Sequence, residues 1–207
     1  HDNIGNRTWT TKANAAASYT ANALNQYTER SVPGSSDIIG SAEQDVIIEV
    51  NGNEADRQGY YWSHRLTVDN LFNPIYTQVV VEAICDPGTN DPFVVSSETG
   101  NVFIAESSES FTYDDDGNLL TDGRFNYSWD AENRLIAVIT KEGLLEDMPI
   151  VHVEFAYDYM SRRIGKTVYQ WDDGCTNWMQ TDSRSFLYDG WNLISETISN
   201  QTSTITN

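Results

Sequence analysis

Over much of its length this chain alternates. In Arg124-Phe125-Asn126-Tyr127-Ser128-Trp129 every second residue is aromatic, and the residues between are polar or charged. Val151-His152-Val153-Glu154-Phe155-Ala156-Tyr157 repeats the pattern, with valine and aromatic side chains on one side. A period of two built from aromatic and β-branched residues predicts strands. Short clusters of Asp, Asn and Gly separate such runs and predict tight turns. The pattern is that of an all-β chain.

The turn clusters recur in one frame, with Asp or Asn at position zero, a turn former at plus three, and a polar or long residue at plus four. The six copies begin at Asp2, Asn22, Asp114, Asp130, Asp158 and Asp189. Their plus-three residues are Gly5, Asn25, Gly117, Asn133, Ser161 and Asn192. The residue before zero is aromatic in the last four copies: Tyr113, Trp129, Tyr157 and Tyr188. An Asp at zero can accept a hydrogen bond from the backbone two residues on. Gly or Asn at plus three tolerates the left-handed backbone that a bulged hairpin loop requires. Each copy therefore predicts a strand, a tight turn and a returning strand, stacked beside its neighbours. These residues are the candidate structural turns.

Residues 13–27 are alanine-rich, and local propensity favours a helix there. Membership of the repeat predicts instead a turn over residues 21–25, with a short helix over 13–17 as the lesser alternative. The interval from Asn22 to Asp114 is too long for one hairpin. Allowing for one repeat leaves roughly 70 residues, the size of a small independent domain. Strands are expected over residues 46–50, 60–62, 65–68, 78–84, 93–96 and 102–105. Asn51-Gly52, Asp86-Pro87-Gly88 and Thr99-Gly100-Asn101 are the expected turns, Asn51-Gly52 being the strongest hairpin signal. This spacing suggests a small β-sandwich. The expected organisation is repeat strands over 1–40, an inserted sandwich over 41–108, repeat strands over 109–199 and a polar tail over 200–207.

Charge narrows the choice of partners. Twelve Lys and Arg stand against 31 Asp and Glu, a net charge of −19. A nucleic-acid partner needs a basic footprint, so none is expected. No apolar run reaches the roughly 18 residues of a membrane-spanning helix. Cys85 and Cys175 are too few for a zinc site, and the sequence leaves open whether they pair. Asp114-Asp115-Asp116-Gly117-Asn118 suggests a calcium loop but lacks the acidic first and twelfth positions of that template. His152 alternates with valines and is expected on a solvent face; His64 is expected in a loop. No nucleophile and base stand in a recognisable constellation, so an enzyme is not expected, nor a cofactor or metal. Trp171 and Trp178 flank the turn Asp172-Asp173-Gly174. Aromatics beside carboxylates can stack on sugar rings, which makes these two candidate glycan contacts beside the simpler reading that they pack on the sheet.

The frame resembles the YD-repeat, or Rhs, family. The resemblance is carried by Tyr113-Asp114-Asp115-Asp116-Gly117-Asn118-Leu119, Trp129-Asp130-Ala131-Glu132-Asn133-Arg134-Leu135 and Tyr188-Asp189-Gly190-Trp191-Asn192-Leu193-Ile194. It covers about residues 1–30 and 111–198. The family is similar to bacterial Rhs and toxin-complex shell proteins and to animal teneurins, which wind a long β-sheet into a hollow shell. The inserted part looks like an immunoglobulin-like module with the pattern Val50-Asn51-Gly52, Ala55, Arg57, Tyr60. The resemblance implies a non-catalytic structural segment of a larger secreted or cell-surface bacterial protein. Its partners would be further repeats of the parent chain, an encapsulated C-terminal effector or a glycan. The alternative is a module that binds carbohydrate or a surface partner. The chain begins inside a copy of the pattern, so it is expected to be a piece of a longer polypeptide.

Overall fold

The computed structural model describes residues 1–12, 15–86, 88, 94–199 and the backbone of 203–204. Every regular element among them is a β-strand, and every described strand register is antiparallel. The fold is therefore all-β. The chain divides into two compact units, His1–Thr20 with Arg30–Glu109, and Ala21–Glu29 with Ser110–Asn207.

In the first unit two sheets share one core. One sheet orders its strands Val94–Ile104, Ile75–Cys85, Val46–Val50, Asn53–Glu54; the other orders Ser35–Ser41, Tyr61–Thr67, Asp56–Gln58. Ile48, Val50, Ala55, Trp62 and Val79 are buried together, with Ile38, Leu66, Val81, Ala83 and Val102 packed against them. Apolar residues alternate inward from both sheets, as a two-layer sandwich requires. Asn51 (φ 50°) and Gly52 (φ 73°) form the expected turn with both residues left-handed. Gly40 lies opposite Trp62, whose ring covers the space a Cβ would need, 2.4 Å from it.

Two expectations for this part are corrected. Residues 60–62 and 65–68 were expected as separate strands with His64 in a loop; one strand, Tyr61–Thr67, runs through, and His64 pairs with Ile38. Thr99-Gly100-Asn101 was expected as a turn; it lies inside the strand Val94–Ile104, with Gly100 opposite Val79. The local turn preference of Gly and Asn yields there to an eleven-residue ladder with Ile75–Cys85. Pro87 and Phe93, at the edges of two expected elements, lie outside the described residues.

A further sheet orders Trp9–Lys12, Ala15–Ala21, Tyr27–Ser31 and Ser108–Ser110. The alanine-rich stretch is a strand where it is described: Ala15–Ala21 pairs with Trp9–Lys12. Tertiary pairing overrides helix propensity; residues 13 and 14 of the alternative helix lie outside the described residues.

The second unit contains a nine-stranded sheet. Eight strands follow in chain order, from Thr112–Tyr113 through Leu119–Thr121, Phe125–Trp129, Leu135–Thr140, Val151–Tyr157, Arg163–Asp172 and Asn177–Asp189 to Asn192–Ser199. The ninth, Ser203–Thr204, pairs with Asn177–Asp189. Directly paired residues share a face. Tyr127, Val138, Val153 and Val168 are paired in succession and form an apolar row across four strands. Thr140, 1% exposed, uses its hydroxyl on Val151, accepting from the amide at 3.0 Å and donating to the carbonyl at 3.4 Å. Of the expected polar tail, residues 200–202 and 205–207 lie outside the described residues.

Candidate functional site

Five of the six repeat turns are built alike. In the third, the Gly117 amide donates to the Asp114 carbonyl at 3.1 Å and the Asp114 amide to the Asn118 carbonyl at 3.0 Å. Asp114 Oδ1 accepts the Asn118 amide at 2.7 Å. Gly117 is left-handed (φ 89°) and the register slips beside Tyr113. This is a type I turn closed by a bulge with the left-handed residue at plus three. The same backbone bonds close the turns at Asp2, Asn22, Asp130 and Asp158, with Gly5 (φ 96°), Asn25 (63°), Asn133 (58°) and Ser161 (60°) left-handed. In each of these four, Oδ1 of the zero residue accepts the amides at plus two and plus four, at 2.8 to 3.0 Å.

The second side-chain oxygen explains plus four. Asp130 Oδ2 accepts Nε of Arg134, and Asp158 Oδ2 accepts Nε of Arg162, both at 2.7 Å. Asn6 and Asn118 donate to Asp2 and Asp114 at 2.9 and 3.0 Å; in the second copy Asn22 donates to Gln26 at 2.7 Å. The side-chain amide of Asn118 is the largest influence holding the Asp114 carboxyl below its ordinary 3.8, with backbone amides adding to it against an opposing effect of burial. At Asp130 and Asp158 burial is the largest single influence and pushes upward. The hydrogen bonds and the arginine charge together outweigh it, and both carboxyls lie below 3.8.

The sixth turn closes differently. Asp189 pairs directly with Asn192, leaving Gly190 and Trp191 as a two-residue loop. Gly190 is left-handed (φ 57°), as a hairpin loop with Gly in its first central position requires. Leu193 stands at plus four, where the other copies carry a polar group.

Sequence reasoning missed the bonds between turns. Each aromatic before position zero reaches back to the carbonyl at plus five of the preceding copy. Tyr113 donates to Tyr27 O at 2.8 Å, Trp129 Nε1 to Leu119 O at 2.8 Å, Tyr157 to Leu135 O at 2.9 Å and Tyr188 to Arg163 O at 3.0 Å. The plus-four side chains reach forward. Asn118 donates to Asn133 Oδ1 at 2.8 Å, Arg134 Nη1 to Asp158 O at 3.3 Å, and Arg162 Nη1 to Gly190 O. Arg134 also lies over the Tyr157 ring and Arg162 over Tyr188, each 5.2 Å from the centroid. The recurrence of a polar residue at plus four was the signal that could have pointed to this function. The Tyr113–Tyr27 bond makes copies two and three neighbours across the interruption.

Trp171 and Trp178 are paired across their turn and pack edge to face, with centroids 5.5 Å apart. Trp171 Nε1 donates to Asp173 at 2.9 Å, and Asp172 Oδ1 accepts the Gly174 amide. His152 was expected on a solvent face; it is half-buried, 5.4 Å from Trp178 and 5.8 Å from Tyr169. Glu154 lies 3.6 Å from its Nε2 and accepts from Tyr169 at 3.5 Å. The other side of the strand holds the valine row, so alternation alone did not show that this side also carries a ring cluster. Cys85 and Cys175 are free thiols. Among the described residues no group of three or more His, Cys, Asp or Glu is placed to hold a metal ion, and no helix is long and apolar enough to cross a membrane.

Most residues of the second pattern have a structural part, while Tyr60 is exposed. Asn51 Oδ1 accepts the Val80 amide at 2.8 Å and Ala55 is buried in the core. The Arg57 guanidinium donates to the carbonyls of Val46, Ala42 (3.1 Å) and Glu43 (2.8 Å), tying down the loop before the first core strand.

These features define an all-β protein of interlocked hairpin repeats joined to a two-sheet module. No family profile matches the chain. The tRNA3(Ser)-specific nuclease WapA of Bacillus spizizenii is 43% identical over 90 residues, 43% of this chain but 4% of that protein. The tRNA nuclease WapA of Bacillus subtilis strain 168 and the tRNA(Glu)-specific nuclease WapA of Bacillus subtilis subsp. natto match with the same identity and coverage. The chain thus spans a small fraction of these relatives. They correct one expectation: a non-enzyme was expected, yet each of these relatives is named a nuclease.

Proposed function

We propose that this chain is part of the β-sheet shell or surface scaffold of a large Rhs-type toxin, and that its parent, like the relatives, acts as a nuclease. The observation that carries the reading is the two-way bonding between successive turns. Aromatics reaching back and Asn or Arg reaching forward suit a sheet extended by adding copies, as a long wall requires. The natural partners are further repeats of the parent and an effector placed toward its C-terminus, and the parent would be secreted or held at the cell surface. At a net charge of −19, phosphate contact in such a parent falls to more basic stretches than this one. Within this reading an immunoglobulin-like module is inserted between the repeat strands; its first strand, Ser35–Ser41, begins before the residue 41 expected as its start, and Ser108–Ser110 belongs to the repeat side. The test is protease protection of the effector in the full-length parent. Replacing Tyr157 and Tyr188 by alanine is expected to expose the effector to protease. Equal sensitivity with and without the replacement refutes the reading.

A second reading, carbohydrate or surface-partner binding, finds support in the cluster of His152, Tyr169, Trp171 and Trp178 with Glu154 and Asp173 beside it. Tryptophan fluorescence across a panel of bacterial glycans tests it; a flat response throughout removes it.

A further inference from the structure

The interruption has a neck, and one buried side chain closes it. The chain leaves the repeat strand Tyr27–Ser31 through Val32 and returns to Ser108–Ser110 through Ser107, and the Val32 amide donates to the Ser107 carbonyl at 2.8 Å. Asn70, 4% exposed, comes from the segment that follows Tyr61–Thr67. Its Nδ2 donates to the Val32 carbonyl at 3.0 Å and to the Ala105 carbonyl at 2.7 Å, so one amide holds both the outgoing and the returning segment. The Asn70 carbonyl accepts the Ser107 amide at 2.8 Å. The Ser107 hydroxyl donates to the Leu71 carbonyl at 3.2 Å. Gly34 completes the closure: its carbonyl accepts the Val68 amide at 2.8 Å, and a Cβ there would lie 2.3 Å from Val68 O and 2.8 Å from Asn70 Oδ1.

Both amide protons of Asn70 are used, one on a carbonyl of the outgoing segment and one on a carbonyl of the returning segment. Aspartate, with the same shape, has no proton to give, and alanine leaves both carbonyls without this donor. Buried polar groups left unpaired are costly, so the clasp is specific to asparagine. The core of Ile48, Val50, Trp62 and Val79 is enclosed by strands that all lie between the two ends of this neck.

We propose that Asn70 is the clasp of a self-contained module spanning residues 33–106, which opens and closes as one unit without opening the hairpin sheet. The module is then a conformational element of its own, closed at its neck by Asn70, with the exposed Lys12–Asp37 ion pair at 3.0 Å as a weaker tie to the first repeat strands. Local opening in cooperative units is read directly by native-state hydrogen exchange. The experiment follows peptide exchange of the whole chain in rising urea, for the wild type, Asn70→Ala and Asn70→Asp. Peptides covering Val46–Val50 and Ile75–Cys85 are expected to open together while those covering Phe125–Trp129 and Val151–Tyr157 stay protected. Asn70→Ala is expected to speed exchange of the first set at least tenfold and to leave the second within twofold; Asn70→Asp is expected to exceed it. Ser107→Ala, which removes only the hydroxyl bond, provides a milder version should Asn70→Ala not fold, with a severalfold effect in the same peptides. A single opening of both sets in the wild type, an equal rise in both sets, or no change in the first set for any variant overturns the proposal.

Discussion

Tyr113→Phe isolates the side-chain bond across the interruption from the backbone pairing beside it, where the Phe111 amide donates to the Thr28 carbonyl at 3.0 Å. The Tyr113 hydroxyl donates to the Tyr27 carbonyl at 2.8 Å, a full-strength geometry between residues 86 positions apart. Phenylalanine keeps the ring and removes only this bond. One neutral hydrogen bond contributes about 1 kcal/mol net, and an unpaired carbonyl left partly buried can raise the loss to about 2 kcal/mol. For a unit of this size that is a fall of several °C in Tm. Tyr159→Phe is the control, since Tyr159 is 91% exposed. Urea and thermal unfolding followed by tryptophan fluorescence measure both variants. There is also an alkaline signature. Burial pushes the Tyr113 phenol above its ordinary 10.0, so its proton stabilises the fold. That contribution is complete below pH 10.0 and is lost as pH rises through the higher folded value. The wild type should therefore lose stability faster than Tyr113→Phe in that range. Tyr169, also raised, first by burial and then by Glu154, is present in both proteins and leaves the difference intact. If Tyr113→Phe matches Tyr159→Phe in Tm and in the alkaline limb, the back-reaching aromatics do not couple the repeats.

Three further outcomes are expected. Thr140→Val keeps the shape but leaves the Val151 amide and carbonyl without their hydroxyl partner, and should cost about 1–3 kcal/mol in urea unfolding, while Thr140→Ser stays near wild type. Gly40→Ala forces a Cβ to within 2.4 Å of the Trp62 ring and should cost about 1–3 kcal/mol by overpacking, seen as a lower midpoint for the sandwich core. Asp114, Asp130 and Asp158 titrate below 3.8 in the fold, so their stabilisation is present above that pH and is lost as pH falls through the lower folded values. The triple Asp→Asn variant should show a flatter acid limb below pH 3.8 in the same unfolding assay.

The repeat turns were legible because all that closes them lies within five residues: Asp158, the amides of Met160 and Arg162, and a left-handed Ser161. Asn51-Gly52 was legible for the same reason. Where a local signal met a long ladder, the ladder won. Thr99-Gly100-Asn101 has turn residues, yet pairing with Gln78, Val79 and Val80 holds it extended. Ala15–Ala21 has helical composition, yet Trp9–Lys12 holds it as a strand. The sixth turn carried the right residues in frame, but Gly190 at plus one took the left-handed conformation and the loop closed one residue shorter.

By itself the sequence determined the strand alternation, the repeat frame and the chemistry of each turn, because these depend on neighbours a few residues away. Only the tertiary structure decided which turns bond to which, that copies two and three meet across the interruption, and that His152 joins Trp178 in a ring cluster. Those contacts join residues that the strand register brings together. Register is a property of paired strands, and a single strand does not contain it.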